Sequence, residues 1–152
     1  MKMKELFDRG EFVVSAEVGP PKGIHVDELV EEAKTYLKGV HAVNVTDNQS
    51  SVMRLGSLAM CKVLKDAGMD PIFQLACRDR NRISMHSTLL GAHINGIRNL
   101  MIVTGDPVPS GERDNTKSVF DFNSIRFMEY VKELNQEIFL QDAFSYGGAL
   151  NQ

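Results

Sequence analysis

Four apolar runs punctuate the chain, beginning near Phe12, Ala42, Pro71 and Asn99, about one every 30 residues. Each run is short, carries Val, Ile, Leu or Phe, and is bounded by turn-forming residues, which favours a strand over a helix. Between the runs lie segments whose apolar positions recur at helical spacing. Val26, Leu29, Val30, Ala33 and Leu37 form the first set, closed by Gly39. Leu55, Ala59 and Val63, with Leu58 and Leu64 beside them, form the second and stop at Gly68. Ile83, Ser87, Leu90 and Ile94 share the third face, which ends at Gly96. In the fourth, Asn123 or Ser124 caps a helix carrying Ile125, Met128, Val131 and Leu134. A short helix over Met3 to Asp8 precedes the series, and a fifth strand over Phe144 to Leu150 follows it.

Strand and helix alternating at this period make βα units, and repeated βα units make a parallel sheet. No low-complexity linker divides the chain, so residues 1–152 read as one α/β domain. A (β/α)8 TIM barrel needs about 250 residues. This chain therefore supplies roughly the first four to five βα units of such a barrel. A half-barrel leaves two sheet edges unpaired, so the expectation is a truncated piece of a larger barrel. Completion of the sheet by another chain is the alternative. An open doubly wound sheet fits less well, because the first turn lacks the Gly-x-Gly-x-x-Gly of a dinucleotide fold.

The strand ends carry the candidate chemistry. Alternation places Val13, Ser15 and Glu17 on one face of the first strand, and Gly19-Pro20-Pro21 makes a rigid exit beside Glu17. Glu17 reads either as a solvated carboxylate at a loop start or as a buried carboxyl at the barrel mouth that donates a proton. The second strand ends in Thr46-Asp47-Asn48-Gln49-Ser50-Ser51. A helix cap explains Ser50 or Ser51, but not a hydroxyl at Thr46. Gln74 places an amide inside the apolar third strand, where it requires a partner, either a neighbouring strand or a ligand. The stretch Ile97 to Pro107 is a fourth strand ending in Thr104-Gly105-Asp106, the position where α/β sheets collect ligands. Arg78-Asp79-Arg80-Asn81-Arg82 suits a phosphate, but reads first as a solvated, salt-bridged loop.

Composition narrows the classes. The chain is 43% hydrophobic and 24% charged with net charge −3, as in a folded globular protein without a nucleic-acid-binding basic face. No apolar run approaches the ~20 residues of a membrane span, and no secretory signal opens the chain. Cys61 and Cys77 stand alone, as reduced thiols of a cytoplasmic protein would. His86 and His93 have no carboxylate or Cys at ligand spacing, so no metal site is expected. No Gly-x-Ser-x-Gly elbow appears.

Taken jointly, the strand ends Ala16-Glu17 with Pro20-Pro21, Val45-Thr46, Gln74-Leu75-Ala76-Cys77-Arg78-Asp79-Arg80-Asn81 and Val103-Thr104-Gly105-Asp106-Pro107 resemble the flavin-dependent methylenetetrahydrofolate reductases, in that family's order. The Cys-Arg-Asp-Arg-Asn block, with Leu89-Leu90-Gly91 and Gly96-Ile97-Arg98-Asn99, is similar to the branch found in acetogens and in homocysteine methyltransferase fusions. The resemblance covers nearly the whole chain and implies the first half of the family barrel. It implies FAD at the carboxyl-terminal mouth of the barrel. There, reduced flavin converts methylenetetrahydrofolate to methyltetrahydrofolate, a step of one-carbon metabolism toward methionine.

Residue by residue, the resemblance makes Glu17 the general acid that helps open the folate ring. It makes Asp106 the carboxylate that stabilises the cationic intermediate. Both would touch folate, and Asp106 would also lie by the flavin. Cofactor contacts carry over to Thr46, Gln74, Val103, Thr104 and Gly105, more loosely to Phe120 and Asp121, and to the small-residue strand end Gly148 and Ala149. Some family members have His at Gln74 and Arg at Thr104. The resemblance allows NADH, NADPH or reduced ferredoxin as electron donor, and a homo-oligomer or an iron–sulfur partner subunit. Two other classes compete: a non-catalytic half-barrel that docks a partner chain, and a flavin-free barrel lyase. The lyase is disfavoured because none of the four strand ends carries a Schiff-base Lys.

Overall fold

The computed structural model describes residues 1–109, 116–136 and 144–148. Helix α1 (Met3–Asp8) is followed by β1 (Ser15–Val18), α2 (Asp27–Tyr36), β2 (Ala42–Val45), α3 (Ser57–Asp66) and β3 (Pro71–Ala76). Then come α4 (Arg82–Ile94), β4 (Asn99–Val103), α5 (Ser124–Leu134) and β5 (Ser145–Gly148). Short 3-10 turns at Gln49–Ser51 and Cys77–Asp79 follow β2 and β3. The five strands are parallel and pair in chain order, β1-β2-β3-β4-β5. Sequential order is how a (β/α) barrel grows, whereas a doubly wound sheet reverses direction from a central strand. The fold is thus the expected barrel portion, with β1 and β5 as its edges among the described residues.

Strand alternation divides the sheet into two faces. Val43, Val45, Phe73, Leu75, Leu100 and Ile102 join the buried core. From the helices, Val30, Met60, Leu64, Leu89, Phe127 and Val131 complete it. The other face is concave and carries Glu17, Asn44, Gln74 and Met101, with Glu17 in register opposite Asn44 and Gln74 opposite Met101. Helix α1 closes the amino-terminal end of this face. Its Met3 N–H donates to Asn99 Oδ1 at 2.7 Å, and Lys4 N–H donates to Ser145 Oγ at 3.2 Å.

Several local expectations are corrected. The first strand begins at Ser15, not Phe12, which is 88% exposed. Just before it, Val14 N–H donates to the His41 ring, while Val14 O still accepts His41 N–H at 2.8 Å. Ser50 and Ser51 do not cap α3, which starts later at Ser57 behind Gly56. The buried face of α3 is Ser57, Met60, Cys61 and Leu64, while Ala59 is exposed. On α5, Asn123 is the cap and accepts from Arg126 N–H, but Phe127 replaces Ile125 on the buried side. The fifth strand is shorter than expected at Ser145–Gly148, and positions 149 and 150 lie outside the described residues.

The largest discrepancy is on α4. Met85, Leu89 and Ala92 face the core, and the expected stripe faces outward, with Ile83 81% and Ile94 85% exposed. Both stripes obey helical period, so spacing alone did not choose between them. This assignment has a direct test. The pair Ile83→Gln and Ile94→Gln should change unfolding free energy by less than about 0.5 kcal/mol each, as surface substitutions do. A loss of about 1 kcal/mol or more per site in urea unfolding would restore the sequence-based face.

Candidate active site at the carboxyl ends of the strands

At the end of β2 the chain buries an acid. The Asp47 side chain has no exposed surface and faces a fork from Arg80, with Nη1 at 2.5 Å from Oδ2 and Nη2 at 3.3 Å from Oδ1. Asp47 Oδ2 also accepts the Ala76 backbone N–H at 2.9 Å. These bonds join the ends of β2 and β3. They also satisfy a charge that would otherwise be costly to bury.

Arg78 performs the same service one strand further on. It is 2% exposed, and its guanidinium grips Asp79 with two bonds of 2.7 Å. Its Nη2 also donates to Asn48 O at 3.0 Å, and Nη1 reaches Asp106 O at 3.5 Å. The Asp79 hydrogen bond raises the Arg78 pKa above its ordinary value, against the opposing effect of burial. Arg82 lies over the Tyr130 ring, 4.8 Å from its centroid. The basic stretch is salt-bridged, as expected, but only partly solvated: Asp79, Asn81 and Arg82 are exposed, whereas Arg78 is buried. Its arginines brace the strand ends and the α4–α5 contact.

The braces hold an irregular backbone. Asn48, Ser50 and Ser51 have φ of 46°, 57° and 58°, a left-handed conformation that non-glycine residues adopt at a cost and that gathers at ligand-binding segments. Asn48 Oδ1 accepts Arg54 N–H at 2.8 Å, and Arg54 Nη1 donates to Pro20 O at 3.2 Å. That ties the segment to the rigid exit of β1. Gly105, at φ +87°, is required twice over, since a Cβ there would stand 3.1 Å from Arg78 Cβ.

Around these braces opens a cavity of about 160 Å³ lined by Glu17, Thr46, Asp47, Gln74, Arg78 and Asp106, with Val103 and Gly105 behind them. The structure thus brings together six of the expected positions: Glu17, Thr46, Gln74, Val103, Gly105 and Asp106. Thr46 Oγ1 is buried and has no hydrogen-bond partner among the described residues. Gln74 finds its partners on the neighbouring strands. Its Oε1 accepts Asp47 N–H at 3.0 Å, which leaves Nε2 with only the weak acceptor Met101 Sδ at 3.8 Å. Glu17 is exposed rather than buried, because β1 is an edge strand beside an open concave face. Asp106 is also exposed.

The remaining expected positions lie elsewhere. Thr104 turns its hydroxyl to the start of α5, accepting Ser124 N–H at 3.1 Å. Phe120 packs against the hydrophobic core, and Asp121 accepts Arg82 N–H at 2.8 Å at the head of α4. Gly148 lines a more apolar space of about 360 Å³ further down the concave face, with Ile72, Met101 and Tyr146. Ala149 lies outside the described residues. Among residues that sequence reasoning passed over, Asn44 donates from Nδ2 to Glu17 Oε2 at 3.0 Å. Its signal was available: it is the polar residue two positions before Thr46, on the same strand face.

His86 and His93 serve helix packing. His86 Nδ1 pairs with Tyr130 OH at 2.8 Å, and His93 meets Phe144 edge-on. Burial pushes the Cys77 thiol up to about 12 and the Cys61 thiol higher still, so both stay protonated at neutral pH. Among the described residues, no helix is long and apolar enough to cross a membrane.

Parallel strands in barrel order, with carboxylates, a hydroxyl and an amide converging at their carboxyl ends, define a (β/α)-barrel domain with a polar site at its rim. The family model described as methylenetetrahydrofolate reductase matches residues 2–149, and the chain belongs to that family. No curated protein matched the chain. The family binds folate, and its members are generally flavin-dependent oxidoreductases.

Proposed function

We propose that this chain carries the first half of the catalytic rim of an FAD-dependent reductase that converts 5,10-methylenetetrahydrofolate to 5-methyltetrahydrofolate. The observation that carries the reading is the single cavity shared by Glu17, Thr46, Gln74 and Asp106, residues drawn from four different strand ends. Whether these residues suit a flavin is tested by their free valences. The orphaned hydroxyl of Thr46 and the underused Nε2 of Gln74 offer hydrogen bonds to the polar edge of a planar heterocycle. Ligand pockets run to roughly 300–1,000 Å³, so the cavity receives one polar end of such a molecule, with the concave face beyond it for the rest.

Thr46, Gln74 and the backbone of Val103 and Gly105 would hold the flavin, which supplies the hydride when bound. Glu17 donates a proton to a nitrogen of the folate's five-membered ring, so that the bond from that nitrogen to the one-carbon unit breaks. Asp106 faces the positive charge that results and stabilises it. NADH, NADPH or reduced ferredoxin is the source of electrons.

The test is a spectroscopic titration of the chain with FAD, followed by anaerobic reduction with each donor and addition of methylenetetrahydrofolate. The expected result is a yellow complex that bleaches on reduction and regains its colour with the folate. A chain that takes up no FAD at any concentration tested would count against the reading. A second reading, a half-barrel that docks a partner or another copy, is favoured by the open edges of β1 and β5. Sedimentation velocity separates it, since a docking half-barrel sediments as a complex.

A further inference from the structure

We propose that Asn44 is the positioning residue of Glu17, and that its amide serves the carboxyl in both of its protonation states. The inference rests on the proposed role of Glu17 as proton donor and goes beyond it. Asn44 sits on β2 directly in register with Glu17 on β1. It is 6% exposed, and its Nδ2 donates to Glu17 Oε2 at 3.0 Å. Its Oδ1 is buried and has no partner among the described residues. A strand apolar on its other face has thus placed one amide, half used, against an acid at the rim.

An amide suits this place for a chemical reason. A general acid alternates between a carboxylic acid, which donates, and a carboxylate, which only accepts. A fixed cation would favour the carboxylate, and a second carboxylate would favour the acid. Asn44 presents a donor to the carboxylate through Nδ2. A half-turn of the same amide presents Oδ1 to the O–H of the acid. Glu17 can therefore lose and regain its proton with its orientation kept. The charged and titratable groups around Glu17 are Asp47, Arg78 and Asp106, which share its cavity, and Glu32 and Tyr36 of α2, which border it on the outer side. Asp47 and Arg78 already have partners in Arg80 and Asp79, leaving the neutral Asn44 as the side chain hydrogen-bonded to the Glu17 carboxyl.

The first measurement needs neither flavin nor turnover. The Asn44 side-chain amide resonance of the apo chain is followed by NMR as pH is lowered through the carboxyl range. It should move with a single titration that disappears in Glu17→Gln and persists in Asp106→Asn. A resonance that does not move, or whose movement survives Glu17→Gln, overturns the pairing.

The second measurement uses the flavin-loaded chain and the variant Asn44→Leu. Flavin affinity and reduction by the electron donor should be unchanged, while reoxidation by methylenetetrahydrofolate slows by about tenfold or more, as loss of an oriented acid would produce. In Asn44→Asp the folate step should extend to higher pH, because a second negative charge beside Glu17 holds its proton on. Equal losses in both half-reactions, or none in either, overturn the positioning role. If the unmodified chain reduces no folate, it is the proposed function that has failed, and the NMR result alone decides the Asn44–Glu17 pairing.

Discussion

Asp47→Ala should cost about 3–5 kcal/mol of folding stability, the range seen when one partner of a buried ion pair is removed. The size follows from what is left behind, not from the strength of the pair. Asp47 is fully shielded from solvent and Arg80 is largely so; truncation strands the Ala76 N–H and leaves the guanidinium with only its long bond to Ala76 O at 3.4 Å. The desolvation penalties remain while the charge-assisted bonds are gone. Asp47→Asn retains an acceptor for Ala76 N–H and should cost less, which separates lost charge from lost shape. Urea unfolding is the measurement, with the midpoint shifting and the slope unchanged. A cost below about 1 kcal/mol would mean that the pair behaves as an exposed salt bridge.

The same ion pair shows what could be read from the chain and what could not. Strand positions were legible because a parallel strand buried on both sides is a short apolar run between turn formers, as at Pro71–Ala76. The helix-closing glycines were legible too: Gly39, Gly68 and Gly96 all have positive φ, which glycine adopts without steric cost. The outward face of α4 was not, since Ile83, Leu90 and Ile94 repeat as regularly as Met85, Leu89 and Ala92. Which stripe is buried depends on what packs against it, and that is tertiary information.

The arginines were legible only in part, for a related reason: their salt bridges were expected, but not the burial of Arg78. A run of Arg and Asp reads as a solvated loop until the β2 end supplies Asp47 and Asn48 as partners. Those partners lie about 30 residues away in sequence, one βα unit upstream. Long-range pairing of this kind leaves no local signature. Glu17 shows the converse. Its face and its place at the strand end followed from alternation, but its exposure depends on whether another strand lies beside β1.

That exposure bears on the catalytic prediction. Glu17→Gln should leave flavin reduction intact while slowing methylenetetrahydrofolate reduction by about 10²–10⁴-fold, the usual contribution of a general acid. Glutamine keeps the length of the side chain, but it has no acidic proton to give. Reduction of the flavin by a nicotinamide or ferredoxin donor requires no proton from this position, so the two half-reactions should separate. Stopped-flow spectroscopy at the flavin band, with donor and folate added in separate shots, reads each one alone. Stability should hardly move, because Glu17 lies on an exposed edge strand and its hydrogen bond from Asn44 Nδ2 can be replaced by one to the glutamine Oε1. Loss of flavin reduction with folate chemistry intact would reject the assigned role. A parallel loss in both steps would mark Glu17 as a binding residue, and the proton would then have to come from another group at the rim.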